Sequence, residues 1–281
     1  MTIRELDQLI EEGKSLKQIA QSYSEIANQK IKILRSQVEV NRLFFKDMSR
    51  VYALVKALAA AKKITVPKRK KMLSIILTSN YRFYGEINSS LIDYFIKTTA
   101  SVETDRIMLG KAAIEYFKSA NEFSNYHEIL LNSDQPDPLE LTSLVNIIKD
   151  YNQVLVFFSR LKSLLVQEPT YTDITAATGK IEMDKSGTVP RFIFEPELSK
   201  ILTFFDSQIL TLLVAETFLE SEVSRTASRF ISMDQAETAS IKVLKQYESL
   251  RSYAQRNLRN NQLLESIASI LAVRKGGTEL T

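Results

Sequence analysis

Cysteine and tryptophan are absent from this 281-residue chain, and histidine occurs once, at His127. Without cysteine there is no disulfide, no thiolate metal site and no thiol nucleophile, a composition that fits a reducing cytoplasm. One histidine leaves a zinc site or a Ser-His-Asp triad without its usual members. His127 is therefore expected to be a structural or surface residue. No run of about 18 apolar residues is visible, so no transmembrane segment is expected. The first residues, MTIRELDQLIEEGKSLKQ, carry acids and no apolar core, unlike a signal peptide. Neither G-x-x-x-x-G-K-[ST] nor G-x-G-x-x-G occurs, so no phosphate-cradling loop and no dinucleotide cofactor are expected. Carboxylates are spread along helical faces, and no constellation reads as catalytic or metal-binding. The net charge of +4 is too mild to argue for nucleic acid.

Helix breakers are scarce and unevenly placed. All six prolines and four of the seven glycines lie between Pro67 and Pro196. From Glu197 to Lys275 there is neither residue, and Met1 to Val66 holds only Gly13. Glycine costs a helix about 1 kcal/mol and proline about 3, so the two ends read as long helices, 1–62 and 197–275, around a turn-rich middle.

Apolar residues in both ends recur in steps of three and four, the pattern of a coiled-coil seam. In the first segment they are Ile3, Leu6, Ile10, Leu16, Ala20, Tyr23, Ala27, Leu34 and Val38, then Phe44, Met48, Val51, Val55 and Leu58. In the second they begin Leu198, Ile201, Phe205, Ile209, Leu212, Leu219, Val223, Ala227 and Phe230. Leu244, Tyr247, Ala254, Leu258, Leu263, Leu264, Ile267 and Leu271 follow. As one helix the second segment measures roughly 115–120 Å at 1.5 Å per residue, and the first is its natural antiparallel partner. A folded-back helical bundle is the alternative arrangement. Outward positions are expected to mix polar and charged residues.

The middle, 71–195, alternates strands and helices. MLSIILTS (72–79), RIMLG (106–110) and QVLVFF (153–158) read as strands, and 89–98, 112–120 and 138–149 as amphipathic helices. Asp137-Pro138 is a cap followed by a first-turn proline. Alternation of this kind predicts a parallel sheet in a Rossmann-like α/β domain. KIEMDKSGTVPRFIFE (180–195) reads as a hairpin. Two features stay open. The basic cluster KKITVPKRKKM (62–72) is either a solvated linker or a contact for an anionic partner. TSNYRFYGEINSSLI (78–92) reads as a strand-to-helix turn, with Tyr81, Phe83 and Tyr84 a weak cue for base stacking.

Several motifs, in order along the whole chain, resemble the gamma subunit of F-type ATP synthase. The turn after the first strand, Ser79, Asn80, Arg82, Phe83, Gly85 and Asn88, is similar to the family's Ser-Asp-x-Gly-Leu-x-Gly-x-x-Asn; Ser79, Gly85 and Asn88 match it. Gly110-Lys111 closes the next strand, and Glu195-Pro196 precedes the last helix. Leu219-Glu220-Ser221 and Arg229-Phe230-Ile231-Ser232-Met233 are similar to the family's Leu-Glu-Ser and Arg-Met-x-Ala-Met. Ile26-Ala27-x-x-Lys30 looks like its Val-Ala-Ala-Ser-Lys.

The resemblance implies an antiparallel coiled coil of the terminal helices plus a protruding α/β domain. It implies a rotor that turns inside a hexamer of alpha/beta-type nucleotide-binding subunits. An epsilon/delta-type stalk subunit and a membrane c-type ring complete the partners, on the cytoplasmic face of the cell membrane. No active site and no cofactor of its own are implied. Lys30, Arg229, Met233, Arg256 and Asn257 are the candidate stator contacts. Departures cluster at positions expected to face the stator: Ser224-Arg225 reverses a charge of the family's Ser-Glu, Asn260 to Leu263 lacks its carboxylate, Tyr23 replaces a methionine, and Arg82 replaces the first loop glycine. A paralogous F-type-like ATPase, or a coiled-coil scaffold that binds anionic partners through 62–72, are the alternatives.

Overall fold

The computed structural model describes residues 1–61, 69–120, 122–179 and 197–276. Two helices of 59 and 79 residues, α1 (Ile3–Ala61) and α6 (Leu198–Gly276), bracket the sheet domain. Between them run β1 (Arg69–Leu77), α2 (Ile87–Thr99), β2 (Asp105–Leu109), α3 (Lys111–Ala120) and β3 (His127–Ile129). Then come α4 (Pro138–Ile148), β4 (Tyr151–Ser163), β5 (Val166–Asp173) and the short α5 (Ile174–Gly179). The chain divides into two compact units, Met1–Glu25 with Met233–Thr281, and Ile26–Ser232.

In the first unit the two helices run antiparallel. Asp7 pairs with Arg251 at 2.6 Å, and six residues further on Gly13 lies under Leu244. A Cβ on Gly13 would come 2.9 Å from Leu244 Cδ2, so a larger residue there would displace the Leu244 side chain. Leu6, Ile10 and Ala20 are buried here, and so are Met233 and Leu244.

The second unit shows the same direction: Lys30 pairs with Glu222, Arg42 with Glu216, and Tyr52 with Asp206. Its sheet has the order β3-β2-β1-β4-β5, the order of the first five strands of a 3-2-1-4-5-6 dinucleotide-binding sheet. β1, β2, β3 and β4 are parallel, and β5 is antiparallel to β4. Side chains alternate across the sheet. Leu73, Ile75, Leu77, Ile107, Leu109, Val154, Val156 and Phe158 meet α4 and the helix pair through Tyr52, Val55, Ile209, Val214 and Phe218. Ile76, Met108, Leu155 and Phe157 meet α2 and α3 through Leu91, Phe95 and Phe117. Covering on both faces is why the strands read as unbroken apolar runs. Each fully buried Leu, Ile or Phe contributes about 1.5–3 kcal/mol.

Several expectations change. The sheet is not wholly parallel, because β5 returns through a tight connection. Three short or polar elements, β3, β5 and α5, carry no apolar run and escape sequence reading. Most of the α1 seam faces inward as expected, with Leu6, Ile10, Ala20, Ala27, Leu34 and Val55 buried, but Leu16, Tyr23, Phe44 and Val51 are exposed, while Ile31, Tyr52 and Ala53 are buried instead. Two interleaved series of threes and fours fit one helix, and periodicity does not say which faces the partner. The outer face is also less polar than expected, with Leu16, Ile19, Ile26, Ile33 and Val40 all more than half exposed. One 18-residue window of α6 reaches a mean hydropathy of 1.4, long and apolar enough by length and composition alone to cross a membrane. Of that window 28% is buried, and α6 supplies Leu202, Ile209, Leu213, Val214 and Phe218 to the core. The hairpin at 180–195, Glu195-Pro196 and the basic residues 62–68 lie outside the described residues.

The α4 start forms as its sequence indicates. Asp137 accepts from the N–H groups of Leu139 and Glu140, and Glu140 accepts from the Asp137 N–H, closing a capping box. Replacing Asp137 with Ala should cost about 1 kcal/mol in urea unfolding. Gly110 has φ +97, and a Cβ there would lie 2.3 Å from the Thr78 carbonyl oxygen. Gly110→Ala should therefore cost more than about 2 kcal/mol in the same measurement, since strain and clash add.

Candidate functional site

The family-like turn after β1 docks on α6. Ser79 and Asn88 hold the turn closed. The Ser79 N–H donates to Asn88 Oδ1 at 3.3 Å, and Asn88 Nδ2 donates to Ser79 Oγ at 2.7 Å. Gly85 has φ +59, and a Cβ there would sit 3.1 Å from Ser232 Oγ and 3.3 Å from Ser228 Oγ. Ser228 Oγ donates to the Tyr84 carbonyl at 2.6 Å. Ser221, Ser224, Thr226, Ala227 and Ser228 are all buried on α6, and their small volume lets the turn approach its backbone. At the tip the left-handed conformation belongs to Phe83, φ 67, rather than to its neighbour Arg82. A bulky residue there costs roughly 1–2 kcal/mol. Phe83 and Tyr81 stand 62% and 54% exposed.

Beneath the turn lies a buried polar network. Asn80 spends its whole side chain, donating to the Leu131 and Ser133 carbonyls and accepting from the Lys111 N–H. Its own N–H donates to Asp134 Oδ1 at 2.6 Å, and Tyr84 Oη donates to Asp134 Oδ2 at 2.6 Å. Burial first, then the Glu222 charge and the bond to Asp134, push the Tyr84 phenol above its usual range. The Arg229 guanidinium lies 4.1 Å from the centre of the Tyr84 ring and donates to the Arg82 carbonyl.

Glu222 is fully buried and Arg225 is 2% exposed. Arg225 Nη2 donates to Glu222 Oε2 at 2.9 Å and to the Asp134 carbonyl at 3.2 Å. Lys30 of α1 reaches Glu222 Oε1. Arg225 is thus an interior residue, correcting the expectation that Ser224-Arg225 faces outward; the reversed charge is matched by Glu222 one turn earlier. Two residues before Glu222, on the other flank of α6, Glu220 takes Arg42 of α1 at 2.7 Å and Arg160 of β4 at 3.1 Å. Arg42 also pairs with Glu216, and these carboxylates raise its pKa, Glu216 before Glu220.

A polar groove of about 890 Å³ holds Arg106, Phe123 and His127. Arg106 stacks on Phe123 at 4.1 Å and donates to the Thr99 and Val102 carbonyls, closing the end of α2. His127 is exposed on β3, and among the described residues no three ligating side chains converge on a metal position.

Of the residues singled out from sequence, Ser79, Gly85 and Asn88 come together in the turn, Arg229 meets it from α6, and Lys30 of α1 pairs with Glu222 of α6. Met233 is only 9% exposed, in the first unit. Arg256 and Asn257 are exposed on α6 of that unit. Asp134, Glu222 and Arg225 were missed as a group. Glu222-x-x-Arg225 has helical pair spacing, but Asp134 sits in a loop whose place no periodicity reports.

The fold and this junction define an α/β domain without a phosphate loop, mounted on an antiparallel helix pair. The family model described as ATP synthase matches residues 2–271. The ATP synthase gamma chain of Staphylococcus saprophyticus is 20% identical over 97% of this chain and 99% of its own length. That of Staphylococcus haemolyticus is 21% identical over 84% and 86%. Among solved structures, a rotor chain of the Euglena gracilis mitochondrial ATP synthase has a TM-score of 0.62 at 14% identity, covering 91% of this chain and 98% of its own. A central stalk/c-ring chain of the Tetrahymena thermophila enzyme has a TM-score of 0.58 at 18% identity, covering 78% and 99%. The chain belongs to the ATP synthase gamma family.

Tyr84→Phe removes one donor to a buried carboxylate and should cost about 1–3 kcal/mol in equilibrium unfolding at neutral pH. Burial also raises the Tyr52 phenol. Both tyrosines keep their protons in the fold while the unfolded chain releases them near pH 10. Native protein then binds more protons, so stability present below pH 10 should fall as pH rises above it. The Tyr52→Phe, Tyr84→Phe pair should flatten that decline.

Proposed function

We propose that this chain is the central-stalk rotor subunit of an F-type rotary ATPase, coupling ion translocation to ATP synthesis or hydrolysis in a surrounding hexamer. The observation that carries the reading is the antiparallel helix pair bearing a firmly docked α/β domain, in a chain matched from residue 2 to 271 by the family. It has no chemistry of its own to perform in this role. Catalysis belongs to alpha/beta-type nucleotide-binding subunits, and an epsilon/delta-type stalk subunit and a c-type ring are the remaining partners. Its place is the membrane-associated complex, peripheral and on the cytoplasmic face.

Exposure supports Arg256 and Asn257 among the stator-contact candidates. Arg256 and Asn257 face outward beside Leu263, Leu264 and Ile267, each more than half exposed. Apolar side chains left uncovered in such number mark an interaction surface, which is what a shaft inside a sleeve needs. The exposed stripe on α1 supports the same reading. Lys30 and Arg229 work mainly at the junction, with outer edges available to a stator, while Met233 supports packing.

Co-expression with the nucleotide-binding subunits should yield one copy of this chain per hexamer of six. A chain that purifies as a free monomer or dimer under those conditions overturns the reading. Within the assembled complex, Arg256→Ala with Asn257→Ala should slow ATP turnover about two- to fivefold, the rate equivalent of weak exposed contacts.

A further inference from the structure

We propose that Glu220 and Glu222 form a two-sided clasp that makes the α/β domain and the helix pair of the second unit turn as one piece. The inference rests on the rotor reading. Residues two apart on a helix point about 200° from one another, so the two carboxylates leave α6 on opposite flanks. Glu220 holds Arg160 of β4 and Arg42 of α1. Glu222 holds Lys30 of α1 and, through Arg225, the carbonyl of Asp134 in the loop before α4. Each carboxylate therefore joins α6 to α1 and, directly or through Arg225, to the sheet domain.

Apolar packing alone resists this motion poorly. Hydrophobic burial is non-directional, and a helix pair lying on a sheet face can rotate while keeping most of its contact area. Ion pairs with fixed geometry on both flanks resist rotation in either sense: turning one way stretches the Arg160 contact, and turning the other stretches the Asp134 contact. The buried flank is the stiffer one, because separating Glu222 from Arg225 strands a charge away from water. The outer flank is solvated and weaker. In this role Glu220 and Glu222 are positioning residues, acting through the cations they hold.

The test uses the whole complex in membrane vesicles, comparing ATP-driven ion pumping with ATP hydrolysis. A stalk that slips at this joint hydrolyses without pumping in proportion. Glu222→Leu with Arg225→Met replaces the buried pair by apolar groups of similar size and should lower the pumping-to-hydrolysis ratio severalfold. Glu220→Ala should lower it about twofold, in keeping with an exposed pair. Glu220→Asp, which retains the charge, should restore most of the ratio; loss that does not follow the charge overturns the inference. An unchanged ratio in either assembled variant also overturns it. Should the buried double variant fail to fold, Glu220→Ala decides alone, since Glu220 bonds two arginines that are themselves more than half exposed. Failure of the unmodified chain to join a hexamer instead overturns the rotor reading, before any ratio is measured.

Discussion

A carboxylate with no solvent exposure has to be answered by cations, and Glu222 on α6 is such a group. An isolated buried charge costs many kcal/mol, so its neighbours are constrained. Lys30 must come from α1 and Arg225 from the next turn of α6. Arg225 in turn needs an acceptor, which the Asp134 backbone provides. Asp134 then has its own carboxylate to satisfy, and the N–H of Asn80 and the hydroxyl of Tyr84 do so. From one buried charge the placement of α1, the turn after β1 and the loop before α4 follows in sequence.

The sheet domain contributes area, and the polar network contributes direction. The core between the sheet and the helix pair is built of Leu, Ile, Val and Phe, which stabilise without choosing a rotation. The network supplies angle-dependent contacts at one end of the same interface. Small residues on α6 from Ser221 to Ser228 let the turn approach closely, and Gly85 completes that approach, because a side chain there would meet Ser228 and Ser232. The motif residues Ser79, Gly85 and Asn88 accordingly have a mechanical reason to stand where they do, with no ligand required.

Much of this was legible beforehand. The breaker-free ends predicted two long helices, and the three apolar runs became β1, β2 and β4. Asp137-Pro138 predicted the cap of α4. The resemblance placed Ser79, Gly85 and Asn88 together in one turn. Three things were hidden for physical reasons. Strands β3 and β5 lie at sheet edges, where few side chains are buried and no apolar run is needed. The α1 seam was ambiguous because Leu16 and Tyr23 continue a helical series as well as buried residues do. Arg225 read as an outward charge because a single position does not reveal that Glu222 and Asp134 stand ready to neutralise it.

Local properties, namely the cost of glycine and proline in helices and the period of apolar residues, are carried by each stretch of chain on its own. They determined the two helices, the alternating middle and the absence of a phosphate loop or thiol chemistry. Tertiary structure decided which face of α1 is covered and which charges are buried, since burial depends on residues distant in sequence. Lys30 and Glu222 stand 192 positions apart, and their pairing exists only because the chain reverses through the sheet domain and returns antiparallel.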